Sequence, residues 1–175
     1  ILRRHHGIEE PTYTDVKKFY DERLHPDRID IDDAKVYENV FHKGKWAGIF
    51  QFTETGAQNF CKRVKPNNLI DISAITSIYR PGPLSAGVHD EFMEAKEHPH
   101  RIKYLTDEVR KITEETFGFM IFQEQIALIA HTLGKDLSLD EGNLLRKLLT
   151  KKGTGKSAKV KEAIHDKFIT GCAEK

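Results

Sequence analysis

A cluster of cations follows a leucine-rich segment near the end of the chain. The leucines in residues 144–149 form one apolar stripe at helical spacing, so Arg146, Lys147 and Lys151 point away from it and Lys152 follows. Because Lys147 and Lys151 stand four residues apart, they repel each other, and a bound phosphate would remove that repulsion. The pattern predicts binding of nucleotide or nucleic-acid phosphates. Cations at a helix end also complement the helix dipole, which is the alternative interpretation.

The charge distribution points to the same end of the chain. The net charge is +1, but residues 143–175 alone carry +6 and the remainder −5, which indicates an anionic partner for the basic part. Residues 155–157 (GKS) match the end of a nucleotide-binding phosphate loop. The first glycine of that motif would fall on Thr150, however, and helix precedes it where the motif requires a strand. We therefore expect a basic loop there.

Three polar residues, Gln123, Glu124 and Gln125, interrupt the most apolar segment, residues 119–133, which reads as one buried helix. Glu124 lies two turns before His131 on the same helical face, so the two could form an acid–base pair. The favoured interpretation is a hydrogen-bonded network that positions neighbouring elements, since buried polar groups need partners.

Arg80 precedes Pro81, Gly82 and Pro83, and neither proline can donate a backbone hydrogen bond. The segment predicts a rigid loop. Such a loop would present the Arg80 guanidinium either to a phosphate or to a buried carboxylate.

Composition excludes several classes of protein. A chain of 175 residues with 38% hydrophobic and 31% charged residues fits one compact domain. Cys61 and Cys172 are too few and too far apart for a disulfide framework, and they fit a reducing compartment. His98 and His100 have no metal-ligand spacing to a Cys or carboxylate, so no metal site is expected. No apolar run could span a membrane and no signal peptide is visible, and we interpret the chain as a fragment of something larger.

The fold class expected from the periodicity is mainly α, with at most one or two short strands. The single strand candidate is residues 46–52, which are rich in aromatic and β-branched residues. Residues 15–23 are expected to form a short polar segment that ends near Pro26. Counting their capping residues, helices are expected from Asp32 or Asp33 to 41, from Asn68 or Asp71 to 78, and over 55–64, 88–97, 107–115, 119–133, 138–149 and 157–173.

Four segments carry a resemblance to a known family. In one order along the chain they are 48–56 (GIFQFTETG), 71–84 (DISAITSIYRPGPL), 116–125 (TFGFMIFQEQ) and 144–152 (LLRKLLTKK). Together they resemble the bacterial replicative DNA polymerase III α subunit, family C. The resemblance runs from about Asp32 to the end and implies a helical fingers-domain fragment. Residues 1–45 would be a lead-in after the palm, and 46–175 the fingers core.

The resemblance implies that the parent enzyme extends a primer by phosphoryl transfer from deoxynucleoside triphosphates. Its palm carboxylates and Mg²⁺ would lie before Ile1, so this fragment holds no cofactor, metal or catalytic residue and is inactive alone. Primer–template DNA and dNTP are the implied partners, other replisome subunits are possible ones, and no membrane is involved. The implied location is the cytoplasm of a bacterium, or of a bacterial host if the gene belongs to a phage.

The resemblance also implies site residues. Arg146 and Lys147 match the family's paired arginines, Lys151 and Lys152 its lysine pair, and Arg80 the arginine of its RPGP segment, all in contact with nucleotide or DNA phosphate. Gln123, Glu124 and Gln125 would support them.

The chain departs from the family at three positions that bear on the site. Lys147 replaces the second arginine and loses its bidentate geometry. Thr150 replaces a glycine, and Phe122 a tyrosine. The chain also ends before a later family segment that contacts nucleotide.

Two other functions stay open. One is a stand-alone helical module that binds nucleic acid or another protein, which a start codon close to Ile1 would favour. The other is a small nucleotidase using Glu124 and His131, which would need a metal or phosphate site not visible in the sequence.

Overall fold

The computed structural model describes residues 2–149 and 156–174, and the regular structure in those two ranges is entirely helical. The mainly α fold is therefore confirmed. A 3₁₀ turn covers Pro99–Arg101 and another covers Glu114–Thr116, and α3 continues as a π-helix over Tyr37–His42. The α-helices in these ranges are α1 (Leu2–His6), α2 (Tyr13–Arg23), α3 (Ala34–Val36), α4 (Thr55–Val64), α5 (Leu69–Ile78), α6 (Pro81–Ser85), α7 (Val88–Glu97), α8 (Asp107–Thr113), α9 (Gln123–Leu133), α10 (Leu139–Leu149) and α11 (Lys156–Glu174).

The strand expected over 46–52 is wrong. These residues form turns, because Gly48 (φ 79°) and Gln51 (φ 66°) adopt left-handed backbone conformations that break an extended run. The aromatic residues pack instead of pairing in a sheet. Trp46 stacks on Phe52 with 5.3 Å between ring centroids. The composition that favoured a strand therefore reflects burial.

The rigid loop expected at Arg80–Pro83 is also wrong, since this segment opens the short helix α6. Arg80 is its N-cap with an extended backbone, as a residue before proline prefers, and Pro81 takes the first helical position. A missing N–H has no cost there, because first-turn N–H groups have no partner within the helix.

The hydrophobic core lies in two clusters. The larger joins the π-helix, α4, α5 and α7, with Phe60, Ile75 and Phe92 almost completely buried. The smaller contains Ala130 of α9, Ile164 of α11, and Leu137 from the connection between α9 and α10. The segment just before α9 packs against the larger cluster, so α9 runs from one core to the other.

Helix α9 begins at Gln123, four residues later than expected from the apolar run 119–133. Phe117 (φ 54°) and Gly118 (φ 87°) take left-handed conformations at the end of the preceding 3₁₀ turn. Residues 119–122 therefore connect the two elements without being helical. The C-terminal boundary at Gly134 is confirmed.

The amino-terminal helices lie largely outside both cores. Helix α2 has a capping box at Thr12 but no buried residue, and Tyr13 is 81% exposed. The division between a lead-in (1–45) and a fingers core (46–175) stays a prediction. In the described part of the chain, no helix is both long and apolar enough to cross a membrane.

Candidate nucleic-acid interface

The cations predicted to bind phosphate lie at the carboxyl end of α10. Arg146 and Lys147 occupy its last turn, where positive charge also complements the helix dipole. Lys147 is exposed, whereas the Arg146 side chain is only 24% exposed. Lys151 and Lys152 lie outside the described residues. The two described cations therefore differ in exposure, and Arg146 is the more covered one.

The position of Arg146 follows from the close packing of α10 on α9. Gly142 is buried in α10, and a Cβ atom there would lie 2.5 Å from the carbonyl oxygen of Ala127 in α9. Glycine permits this approach. Helices α9 and α10 run antiparallel, and residue 142 of α10 lies against residue 127 of α9. Arg146, four residues after 142, therefore lies level with Gln123, four residues before 127, as observed.

Arg146 has two side-chain partners in the first turn of α9. Its Nη1 donates a 3.0 Å hydrogen bond to Oε1 of Gln123 and lies 3.5 Å from Oε1 of Glu124. Its Nε is buried and has no acceptor among the described residues. We call Gln123, Glu124, Arg146 and Lys147 the Arg146 cluster. Sequence reasoning named all four but did not foresee the contacts, because no local signal shows which side chains meet across two helices.

Gln125 points the other way and holds the segment before α9. Its Oε1 accepts from the backbone N–H groups of Ile121 and Phe122, both at 2.9 Å. Its Nε2 donates to Thr116 Oγ1 at 2.7 Å and to the carbonyl of Ile112 at 3.1 Å. The side chain is buried and these bonds satisfy it, so Gln125 fixes where α9 begins. Its hydrogen bonds go to other residues, and it supports the Arg146 cluster by fixing the first turn of α9, which carries Gln123 and Glu124.

The amino end of α10 is fixed by a capping box. The Glu141 carboxylate accepts from the backbone N–H of Ser138, and the Ser138 hydroxyl accepts from that of Glu141. Lys167 of α11 also donates to Glu141 at 2.5 Å, and this bond, followed by that from Ser138, holds the pKa of Glu141 below its usual value. Helix α10 is therefore anchored at the end opposite the Arg146 cluster.

Arg80 lies at the amino end of α6, on a different element from the Arg146 cluster, and it is exposed. Within the described ranges no ion pair joins it to a carboxylate. The alternative in which Arg80 clamps a buried carboxylate is thus wrong, because the N-cap of α6 places it at the surface. Its contact with phosphate stays a prediction.

The acid–base pair of Glu124 and His131 is not formed. The Nδ1 atom of His131 lies 2.6 Å from the carbonyl oxygen of Leu137, while Glu124 pairs with Arg146. Two helical turns separate the residues, and each has a nearer partner. Among the described residues no group of three or more His, Cys, Asp or Glu side chains could hold a metal ion.

One charged pair was missed by the sequence analysis. Lys96 of α7 donates to the Asp71 carboxylate of α5, with side chains only 12% and 4% exposed. The backbone N–H of Asn67 also donates to Asp71, at 2.9 Å. The available signal was a lone acid in the apolar run 69–78, since a carboxylate is rarely buried without a cation. The pair joins α5 to α7, two helices that contribute to the larger core.

Comparison with known proteins supplies the family context. Residues 9–175 match the family described as the bacterial DNA polymerase III alpha subunit finger domain. The chain is 34% identical over 151 residues to the DNA polymerase III subunit alpha of Campylobacter jejuni, covering 86% of the chain and 12% of that protein. It is 33% identical over 147 residues to that of Aquifex aeolicus, covering 84% and 12%. For Staphylococcus aureus strain COL it is 34% over 161 residues, covering 92% and 14%. The chain thus spans 12–14% of the length of these relatives.

Proposed function

Since the chain belongs to the bacterial DNA polymerase III α subunit finger-domain family, we propose that it binds phosphate groups of DNA and of the incoming nucleotide through the Arg146 cluster. The observation that carries this proposal is the Arg146 guanidinium, which Gln123 holds at the end of α10 beside the exposed Lys147. Arginine suits the task because its planar fork of donors matches a phosphate group.

Positioning by Gln123 reduces the cost of binding. A free arginine side chain loses rotamer entropy when it takes hold of a ligand. Arg146 has already lost part of that freedom, because its side chain is mostly covered and hydrogen-bonded to a neighbouring helix. We propose that Arg80, Lys151 and Lys152 add contacts with phosphate.

In the parent polymerase, the cluster would position primer–template DNA and dNTP while residues outside this chain carry out phosphoryl transfer. Metal ions held there would activate the 3′ hydroxyl and stabilise the leaving group. We place Mg²⁺ with those residues, as membership of this polymerase family implies. We also propose that the parent polymerase is located in the cytoplasm and contacts other replisome subunits.

The test is binding of a fluorescein-labelled primer–template duplex by anisotropy across a salt series. The variants are Arg146→Ala and Arg146→Ala/Lys147→Ala. Each lost phosphate contact should flatten the log–log salt dependence by about 0.9. The control is Lys111→Ala, which removes an exposed cation from the last turn of α8 and should leave the slope unchanged.

Addition of dATP separates DNA contacts from nucleotide contacts. Displacement of DNA from the wild-type chain, but not from Arg146→Ala, would assign Arg146 to the nucleotide triphosphate. A salt slope in the double variant equal to that of the wild type, with its helical circular dichroism retained, would refute the proposal.

A further inference from the structure

Glu124 and Gln123 hold Arg146 in different ways. Gln123 makes a neutral hydrogen bond of 3.0 Å, whereas the Glu124 carboxylate stands 3.5 Å away and its side chain is 74% exposed. The second contact is a loose ion pair at the surface. Gln123 therefore fixes the guanidinium, while Glu124 mainly supplies a negative charge.

Glu124 pairs with the same guanidinium to which the proposed function assigns phosphate binding. A carboxylate and a phosphate both present oxygens to arginine, and arginine binds either with paired hydrogen bonds. The buried Nε of Arg146 without an acceptor shows that Gln123 and Glu124 do not satisfy the whole group. An incoming phosphate thus competes with Glu124 for Arg146.

The surroundings of Glu124 make its release inexpensive. Glu124 lies in the first turn of α9, where the helix dipole stabilises negative charge. An exposed carboxylate also regains full hydration when it leaves. Gln123 can keep its hydrogen bond throughout, because it is neutral and does not repel phosphate.

We propose that Glu124 is a built-in competitor for the phosphate site at Arg146: it pairs with the guanidinium when no ligand is bound and gives way to a phosphate group. This inference rests on the proposed function of Arg146. The pair keeps the cation neutralised in the free protein and weakens phosphate binding by the strength of one exposed ion pair. Exposed pairs of this kind change an equilibrium by about 1.5- to 5-fold.

The experiment measures anisotropy of the labelled primer–template duplex at one low salt concentration. Glu124→Gln should bind the duplex about 1.5- to 5-fold more tightly than the wild type. In the Arg146→Ala background the same substitution should tighten binding only by the small amount expected from removing one negative charge near DNA, since the competitor then has nothing to compete for. Gln123→Ala should weaken binding, because it frees the guanidinium.

A matched control separates the effect of the Glu124–Arg146 pair from the general effect of removing one negative charge from the protein. Asp140→Asn removes an exposed carboxylate from the first turn of α10 and should tighten binding less than Glu124→Gln. Equal tightening by Asp140→Asn, or equal tightening by Glu124→Gln with and without Arg146, would overturn the inference. So would unchanged binding in Glu124→Gln while Arg146→Ala weakens it. Unchanged binding in Arg146→Ala would refute the proposed function itself, and this inference with it.

Discussion

Replacement of Gly142 by alanine tests the packing that places Arg146. The new Cβ would stand 2.5 Å from the Ala127 oxygen and 3.2 and 3.3 Å from its carbonyl carbon and Cα. Carbon–oxygen contacts between packed helices lie at about 3.3–3.6 Å, so α9 and α10 must separate by roughly 0.8–1.1 Å. The obstructing atoms are backbone and cannot rotate away.

The expected cost follows from two opposing effects. Forced overpacking costs about 1–3 kcal/mol, towards the upper end here because the contact is with backbone, and alanine returns about 1 kcal/mol of helix propensity. The free energy of unfolding should therefore fall by about 1–2 kcal/mol, which lowers the melting temperature by about 2–4 °C per kcal/mol. Separation of the helices also stretches the bond from Arg146 to Gln123, so DNA affinity should fall as well.

Denaturant titration and thermal melting followed by circular dichroism measure this effect. The control is Asn143→Ala, which places the same residue at the next position of α10 and gains helix propensity. A Gly142→Ala chain as stable as the wild type, or more stable, would contradict the close contact between α9 and α10 at Gly142, and with it the packing that brings Arg146 level with Gln123.

Two further predictions concern the larger core. Lys96→Ala should lower the free energy of unfolding, measured in urea, by about 3–5 kcal/mol, because it leaves the Asp71 carboxylate buried without its cation. The double variant Lys96→Ala/Asp71→Asn should recover part of this loss. A Lys96→Ala chain as stable as the wild type would contradict the burial of the pair. Burial raises the pKa of the Cys61 thiol to about 12, whereas Cys172 is exposed. A thiol reagent at pH 8 should therefore modify only Cys172 of these two in the native chain and both after unfolding. Rapid modification of both in the native state would contradict this.

Much of the helical structure could be predicted from local pattern. Gly134 ends α9, Ser138 caps α10 and Asn68 caps α5, since each signal acts within a few residues. The start of α9 could not be predicted, because the side chain of Gln125 reaches back to Ile121 and Phe122 and takes the N–H groups of residues that otherwise look helical.

The candidate site was predicted in its residue types but not in its contacts. The cations at Arg146 and Lys147 follow from the leucine stripe beside them. Their meeting with Gln123 and Glu124 depends on the depth at which Gly142 lets two helices pack, which is a tertiary property. The misjudged segment 46–52 has the same origin, since aromatic content signals burial as readily as a strand.

The three consecutive residues Gln123, Glu124 and Gln125 have consequences for how this protein can evolve. Two face a cation on the next helix and one faces inward, and successive residues on a helix differ by about 100° in direction. Insertion or deletion of one residue here would turn each side chain to its neighbour's position. A carboxylate in place of Gln125 could not donate to the carbonyl oxygen of Ile112. Divergent relatives should therefore vary in length elsewhere, in loops such as residues 24–33, and change this segment only by substitution.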